Sequence, residues 1–451
     1  MASAAEQMAS NMSWGGLGKA KELRQRILFA IGLLIVYRIG TYIPIPGIDS
    51  VQLASFFEGQ QGGIGGILNM FTGGAISRMA IFTLGIMPYI SASIIVQLLS
   101  SMVPSLEALK KDGEQGRKKM NQYTRYGTVA LAFAQSYGIA VGLEGQGLAT
   151  EAGMFFRAST VITLVGGTMF LMWLGEQITS RGIGNGISLI IFVGIVAGLP
   201  GATAQFFEAG RAGTISTALI LGVIVMVIVV LGLVVFVERA LRKIHIQYPK
   251  RQVGMKMYGG ESSHLPVKLN PAGVIPAIFA SSLLLLPTTI TAFADPNATG
   301  FMATVSAYMG RGQPLYMLMT AALVIFFAYF YTHNVAFKVD DVADNLKKQG
   351  GFVPGIRPGV KTAEYLEYVM NRLLVLGGLY LAGVVLLPEL LIAKTSIPFY
   401  FGGTSVLIVV SVTMDTINQV QSHMMAQQYE SLIEKSKMRG KNRSKARRRR
   451  K

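Results

Sequence analysis

The chain has 451 residues, of which 51% are hydrophobic and only 14% are charged. Soluble proteins average about 25% charged residues, so this composition excludes an ordinary soluble domain. The net charge of +18 is of the kind found in nucleic-acid-binding proteins, but the basic residues are distributed as membrane topology would require. The chain has no cysteine, which excludes disulfides and thiolate metal sites.

Ten long stretches with few or no charged residues follow one another along the chain. A helix needs about 20 apolar residues to cross roughly 30 Å of hydrocarbon, where backbone amides find no water, so each stretch should be a helix. Residues 1–20 lack the apolar core of a signal peptide, so the first stretch should remain as a span. The stretches are residues 27–42, 79–103, 126–143, 158–175, 182–207, 212–237, 269–294, 312–337, 373–388 and 395–414.

Most of the basic residues lie in alternate gaps between these stretches. If the amino terminus is in the cytosol, only six of the 41 Lys and Arg residues fall on the other side of the membrane. This is the bias of the positive-inside rule, and an even number of spans then puts both termini in the cytosol. The six are Arg38, Arg78, Arg157, Arg211, Arg311 and Lys394.

Five stretches precede the connection at residues 207–214, and five follow it. Halves with an odd number of spans enter the membrane in opposite directions, which is the arrangement of an inverted repeat. We therefore predict an all-α polytopic membrane protein of ten transmembrane helices in two pseudo-symmetric halves, residues 23–207 and 208–430. A cytosolic segment, residues 1–22, precedes them. A basic tail, residues 431–451, follows them, and its charge suits anionic lipid or ribosomal RNA.

The connection between the first two stretches is rich in glycine and yet apolar. Glycine costs about 1 kcal/mol in a helix interior, so no long helix is favoured over residues 61–78. Two interpretations stay open for this segment. It is either a loop resting on the outer membrane surface or a short helix folded back into the protein, where it must be buried or line a cavity.

Two connections on the predicted cytosolic side are long, at residues 238–270 and 338–372. The first alternates apolar and polar residues around Lys250 and Arg251, a pattern that predicts a basic hairpin. The second contains Pro354-Gly355-Ile356-Arg357-Pro358-Gly359, a rigid turn that displays one arginine. Long loops in compact proteins are usually functional or disordered, and the turn-forming residues here favour function.

The sequence carries no catalytic motif. It lacks a Gly-rich nucleotide-binding loop ending in Gly-Lys-Ser/Thr, a His-Glu-x-x-His helix and a Gly-x-Ser-x-Gly elbow, so we expect neither an enzyme nor a cofactor. The spans also lack a carboxylate near the midplane, which disfavours an ion-coupled transporter. The histidines show no ligand spacing, and they are His245, His264, His333 and His423.

Five stretches of the chain carry distinctive motifs. They are Gly85-Ile86-Met87-Pro88-Tyr89-Ile90-Ser91-Ala92-Ser93, Gly175-Glu176-Gln177-Ile178-Thr179 through Asn185-Gly186-Ile187-Ser188, Gly273-Val274-Ile275-Pro276-Ala277-Ile278-Phe279-Ala280-Ser281-Ser282, residues 352–359, and Pro398-Phe399-Tyr400-Phe401-Gly402-Gly403-Thr404-Ser405. Together they resemble the bacterial SecY family, the channel subunits of the Sec protein translocon. The resemblance covers residues 23–429 with the spacing intact, whereas the Arg-rich end at residues 441–451 matches no family pattern.

The resemblance implies two halves that open like a clamshell around a central, hourglass-shaped pore. The Gly-rich segment would plug the outer funnel, with Ile67, Leu68, Asn69, Met70 and Phe71 at its centre. Gln97 and Ser282 would be polar contacts at a lateral gate between the second and seventh spans, although local bonding to their own helices is an equally good interpretation. The pore constriction would be a ring of isoleucines, Ile86, Ile90, Ile187, Ile191, Ile278 and Ile408.

The implied function is the central protein-conducting channel of the Sec translocon. Such a channel passes unfolded polypeptides across the bacterial plasma membrane and releases transmembrane segments sideways into lipid. The alternative is an inverted-repeat secondary transporter of a small solute. The implied partners are the small membrane subunits SecE and SecG, the motor ATPase SecA, the ribosome, and translocating preproteins with their signal sequences. Lys250, Arg251 and Arg357 are the candidates for docking the cytosolic partners.

Overall fold

A computed structural model describes residues 21–49, 52–53, 69, 72–213, 215–249, 251–253, 256–258, 262–292, 313–395 and 402–448. The described chain is mostly helical, and a helix overlaps each of the ten predicted stretches, often extending beyond it. The helices are α1 (Lys21–Gly40), α2 (Met87–Met102), α3 (Pro104–Lys111), α4 (Gly113–Gly145), α5 (Met154–Arg181), α6 (Gly186–Arg211), α7 (Thr217–Arg239), α8 (Ile275–Ala292), α9 (Pro314–Tyr331), α10 (Val339–Lys348), α11 (Val360–Thr395) and α12 (Gly403–Arg448).

Six stretches of helix in the described chain are long and apolar enough to cross a membrane. They are α4, α5, α6, α7, the run Pro314–Lys348 that contains α9 and α10, and most of α11. A seventh span results if α2 and α3, which meet at an angle of 104°, are counted as one. The multi-span helical architecture is thereby confirmed, and the count of ten crossings stays a prediction.

The start of the second predicted span is not helical. Residues 79–86 form a series of buried turns, and α2 begins only at Met87, with Pro88 in its first turn. Met79 and Gly85 have φ values of 41° and 56°, which a right-handed helix cannot accommodate. The prediction of a continuous helix over residues 79–103 is therefore wrong at its amino end, because the apolar residues there form a folded loop that is itself buried.

The helices pack into two groups that meet along two seams. In the first group α2 packs on α4, α4 on α5 and α5 on α6, and in the second α8 packs on α9, α9 on α11 and α11 on α12. Across the groups, α8 contacts α2 and α4, while α12 contacts α6 and α1. One hydrophobic cluster extends through both groups, so the core is continuous across the seams.

The two long loops form one packed unit. Strand β1 (Leu241–Gln247) pairs antiparallel with β4 (Ser262–Lys268), and β2 (Arg251–Val253) pairs with β3 (Lys256–Tyr258), so the predicted hairpin is confirmed. Gln247 and Phe352 exchange two backbone hydrogen bonds of 2.9 and 3.0 Å, which join the hairpin to the loop at residues 338–372. Ile244, Val267 and Val353 share a small core with α11.

The buried turns pack closely against α5 at Gly167, a position where only glycine leaves enough space. A methyl group at Gly167, on α5, would overlap the carbonyl oxygen of Ile81, whereas a methyl group at the neighbouring Gly166 would meet nothing within 4 Å. Gly167→Ala should therefore lower stability by roughly 1–3 kcal/mol, the usual cost of overpacking. The measurement is the midpoint of thermal aggregation of the purified protein in detergent, with Gly166→Ala as the matched control. Equal midpoints for the two variants would contradict the packing described here.

Candidate functional site

Five of the six isoleucines of the predicted ring belong to the large hydrophobic cluster that extends through both helix groups, and Ile187 packs against it. They are contributed by α2, α6, α8 and α12, and each lies at the start or within the first two turns of its helix. Two helices contribute a pair spaced by four residues, which places both side chains on one helix face. Ile187 is half-buried and the other five are at most 7% exposed: Ile86, Ile90, Ile191, Ile278 and Ile408.

The start of α6 is held in place by polar contacts at its amino end. The Asn185 side chain accepts hydrogen bonds from the backbone N–H of Ile187 and Ser188, at 3.1 and 3.5 Å. Such a cap satisfies amides that a helix start leaves unpaired. The Thr179 hydroxyl accepts from the N–H of Gly186 at 2.9 Å, which ties α6 to α5. The positions of Ile187 and Ile191 are thus set by specific bonds.

Of the five predicted plug residues, only Asn69 is described, and Ile67, Leu68, Met70 and Phe71 lie outside the described residues. The Asn69 side-chain oxygen accepts from the N–H of Ser77 at 3.0 Å, and its carbonyl accepts from Gly74 at 2.7 Å. Asn69 therefore closes a compact turn at the carboxyl end of the Gly-rich segment.

The residues after Asn69 are buried against α1 and α6. Arg38 on α1 donates a 2.7 Å hydrogen bond to the carbonyl oxygen of Gly73, and the Tyr37 hydroxyl donates to the carbonyl of Thr72 at 3.3 Å. A Cβ at Gly73 would lie 3.1 Å from the Cα of Gly194 on α6. This burial favours a segment folded back into the protein over a loop resting on the membrane surface.

The predicted polar contacts of the lateral gate lie on two helices that touch, α2 and α8. The Ser282 hydroxyl donates to the carbonyl of Ile278 in its own helix at 2.8 Å and lies 3.6 Å from the sulfur of Met87, across the seam. The Gln97 amide instead donates to the Ser93 hydroxyl at 3.1 Å, within α2. The polar contact across the seam is therefore between Ser282 and Met87, and Gln97 bonds locally.

Among the candidate docking residues, Arg357 is exposed on a rigid turn. The turn is closed by a 3.0 Å hydrogen bond from the N–H of Ile356 to the carbonyl of Val353, and Gly355 adopts φ 80°, which favours glycine. The Thr362 hydroxyl also donates to the Arg357 carbonyl at 3.0 Å. Arg251 lies in β2, and Lys250 lies outside the described residues.

Asn270 is a buried polar residue that the sequence analysis missed. It is 2% exposed, and its side-chain amide donates to the Glu238 carboxylate at 2.9 Å and to the Gly273 carbonyl at 3.1 Å. These bonds connect the end of α7 to the turn that starts α8. An asparagine followed by proline between a strand and a span is a local signal for such a turn, and it identifies Asn270 in retrospect.

The chain matches known proteins over most of its length. A model of the SecY family matches residues 80–417. The protein translocase subunit SecY of Escherichia coli strain K12 is 55% identical over 431 residues, covering 94% of this chain and 96% of that protein. The subunit of the same name from Pseudomonas aeruginosa is 51% identical over 432 residues, covering 96% of this chain and 97% of that protein.

Solved structures show the same fold at low sequence identity. A structure described as that of a protein conducting channel has a TM-score of 0.65 and 19% identity, covering 88% of this chain and 92% of that chain. Sec61 in a canine ribosome-channel complex has a TM-score of 0.62 and 19% identity, with the same coverage.

The bond between Arg38 and Gly73 predicts how tightly the Gly-rich segment is held. Ala75 is fully buried, so Ala75→Cys should react slowly with a maleimide in a chain that has no other cysteine. Arg38→Ala removes a charge-assisted hydrogen bond worth about 1.5–3 kcal/mol, so labelling should become about tenfold faster or more. Arg157→Ala is the control, because Arg157 pairs with Glu144 instead. The same labelling rate with and without Arg38 would contradict this role.

Proposed function

The chain belongs to the SecY family, and from this premise we propose how its residues work as the protein-conducting channel of a Sec translocon. The members of this family are multi-pass membrane channels and not enzymes. Membership in it therefore argues against the alternative function, a small-solute transporter. The observation that carries the proposed mechanism is the single apolar cluster in which five of the six isoleucines lie and against which Ile187 packs.

The ring isoleucines seal the pore without recognising any particular polypeptide sequence. An apolar constriction excludes water and ions by dewetting, so the packed ring is the barrier of the resting channel. Aliphatic side chains form no specific bond to a passing polypeptide, and the ring can therefore widen around any sequence. The ring is contributed by helices of both groups, so separation of the groups opens it.

The Gly-rich segment is the plug on the outer side of the ring. Its support is the burial of Thr72 and Gly73 against α1, with Gly73 also beside Gly194 on α6, shortly before the turns that lead into Ile86. The lateral gate is the seam between α2 and α8, where apolar contacts and the Ser282–Met87 contact are weak enough to part. A transmembrane segment leaves the pore through this seam into lipid.

The channel itself carries no nucleotide-binding motif, so energy for transport comes from partners. We assign this role to the SecA motor and the ribosome, and we propose SecE and SecG as the accessory membrane subunits. The similar fold of a channel solved in complex with a ribosome supports the ribosome as a partner. The protein lies in the bacterial plasma membrane with both termini in the cytosol, in accord with the positive-inside bias. The substrates are preproteins with their signal sequences, and the basic tail lies near anionic lipids.

Breaking the ring should make the resting channel leak ions. The variant replaces Ile86, Ile191 and Ile278 by Ser, because hydroxyl groups hold water in the constriction. The measurement is the conductance of the purified channel in a planar bilayer without substrate. The control replaces three exposed isoleucines, Ile35, Ile162 and Ile228, by Ser, and should stay closed. Wild-type conductance in the ring variant would show that these residues are ordinary core.

Reversing the charge of Arg357 should abolish SecA-driven translocation at normal channel abundance. A guanidinium presents a rigid fork of donors to a carboxylate or phosphate, which a Lys cannot imitate, so Arg357→Lys should also be impaired, though less. The measurement is import of a preprotein into inverted vesicles, together with an immunoblot of the channel.

Lys348→Glu is the matched control for that experiment, because Lys348 is an exposed charge near the carboxyl end of α10 in the same loop. It should import normally. Normal import by Arg357→Glu at normal abundance, or equal losses in both charge reversals, would reduce Arg357 to a topology signal.

A further inference from the structure

Two of the four histidines, which show no ligand spacing in the sequence, are brought together by the hairpin. The register of β1 and β4 places His245 directly opposite His264. Nδ1 of His245 lies 3.4 Å from Nε2 of His264, and the ring centroids are 5.0 Å apart. The sequence separation of 19 residues hid this pair, because only the strand register makes the two residues neighbours.

The separation of the two nitrogens is also the one that a shared metal ion imposes on two histidine ligands. At 3.4 Å the two nitrogens form a long hydrogen bond when one of them carries a proton, and they face each other with both lone pairs available when neither does. Two imidazole nitrogens that each lie about 2.0–2.1 Å from a tetrahedral zinc ion are about 3.3–3.4 Å apart. We propose that His245 and His264 form a two-histidine binding site for a divalent transition-metal ion such as Zn²⁺.

Gln247 supplies the outer-shell contact that such a site needs. Its side-chain amide lies 3.4 Å from Nε2 of His245, the ring nitrogen that does not face His264. A half-turn of the amide presents its oxygen, which accepts a hydrogen bond from Nε2–H and leaves the Nδ1 lone pair of His245 for the metal. Metal-bound histidines usually donate their second N–H in this way.

The side chains around the two histidines determine how many ligands the protein offers to the ion. Side chains two residues apart share a face of a strand, so the neighbours of the pair on its face are Lys243 and Gln247 on β1 and Ser262 and Pro266 on β4. The described residues include no group of three or more His, Cys, Asp or Glu that could hold a metal. Water therefore fills the remaining positions, and binding is weaker than at a four-ligand structural zinc site.

A bound ion links β1 to β4 close to the point where Gln247 pairs with Phe352. It thus stiffens the packed unit that carries the proposed docking residues Arg251 and Arg357. The site itself is defined by its ligands alone and does not depend on the proposed function.

The test is metal titration of the purified, tag-free channel after removal of metal by a chelator. Zn²⁺ binding measured by isothermal titration calorimetry should show one site per chain, weakened at least tenfold in His245→Ala and in His264→Ala. The matched controls are His333→Ala and His423→Ala, which should bind as wild type does.

A second measurement uses the unaltered chain and so does not depend on the folding of variants. Electron paramagnetic resonance of bound Cu²⁺ should show coupling to two imidazole nitrogens. Absence of binding, coupling to fewer than two nitrogens, or equal losses in the control variants would overturn the proposal.

Discussion

A backbone amide inside hydrocarbon has no water to bond, and this constraint decides how the first third of the chain is built. The stretch at residues 72–86 is not helical, so its amides and carbonyls need other partners. Ile45 donates to the Met79 carbonyl and Ile81 donates to the Ile43 carbonyl, each at 2.9 Å. The first helix, the chain after it and the buried turns therefore form one unit, and this unit fixes where α2 starts and where Ile86 lies.

The same constraint bears on the proposed ring residues, which lie at helix starts. A helix start inside the protein leaves amides unpaired, and caps such as Asn185 satisfy them while fixing the helix end in space. The side chains in the first turns of α6 are then positioned by polar bonds that lie outside the proposed ring, whereas the start of α2 at Ile86 has no side-chain cap. The proposed ring consists only of apolar side chains, so it could separate without breaking a side-chain hydrogen bond of its own.

The sequence predicted those features that depend on local composition. Apolar runs of helical length indicated the ten longer helices but not the short polar helices α3 and α10, and alternation around a turn indicated the hairpin. Both patterns are carried by neighbouring residues. It failed where the partner is distant in sequence. The run at residues 79–86 is apolar enough for a span, but the positive φ values of Met79 and Gly85 and the close packing of Ile81 on Gly167 show that it is a folded loop. The sequence left open whether Gln97 and Ser282 bond locally: Gln97 does, whereas Ser282 also contacts Met87 across the seam, and His245 meets His264 only through strand register.

The contact between the loops and the helices is closely packed, and it gives the proposed docking surface a direct connection to the proposed lateral gate. The hairpin ends at Lys268, which lies 3.9 Å from Asp415 on α12, and the chain then enters α8 through the turn at Asn270. A flexible hinge would require this turn to be exposed, yet Asn270 and Ala272 are each 2% exposed and Val274 is 6% exposed. If a partner docks on the hairpin as we propose, a displacement of the hairpin would be carried into α8 through the buried turn. Because α8 forms one side of the seam with α2, the force would act at the proposed lateral gate.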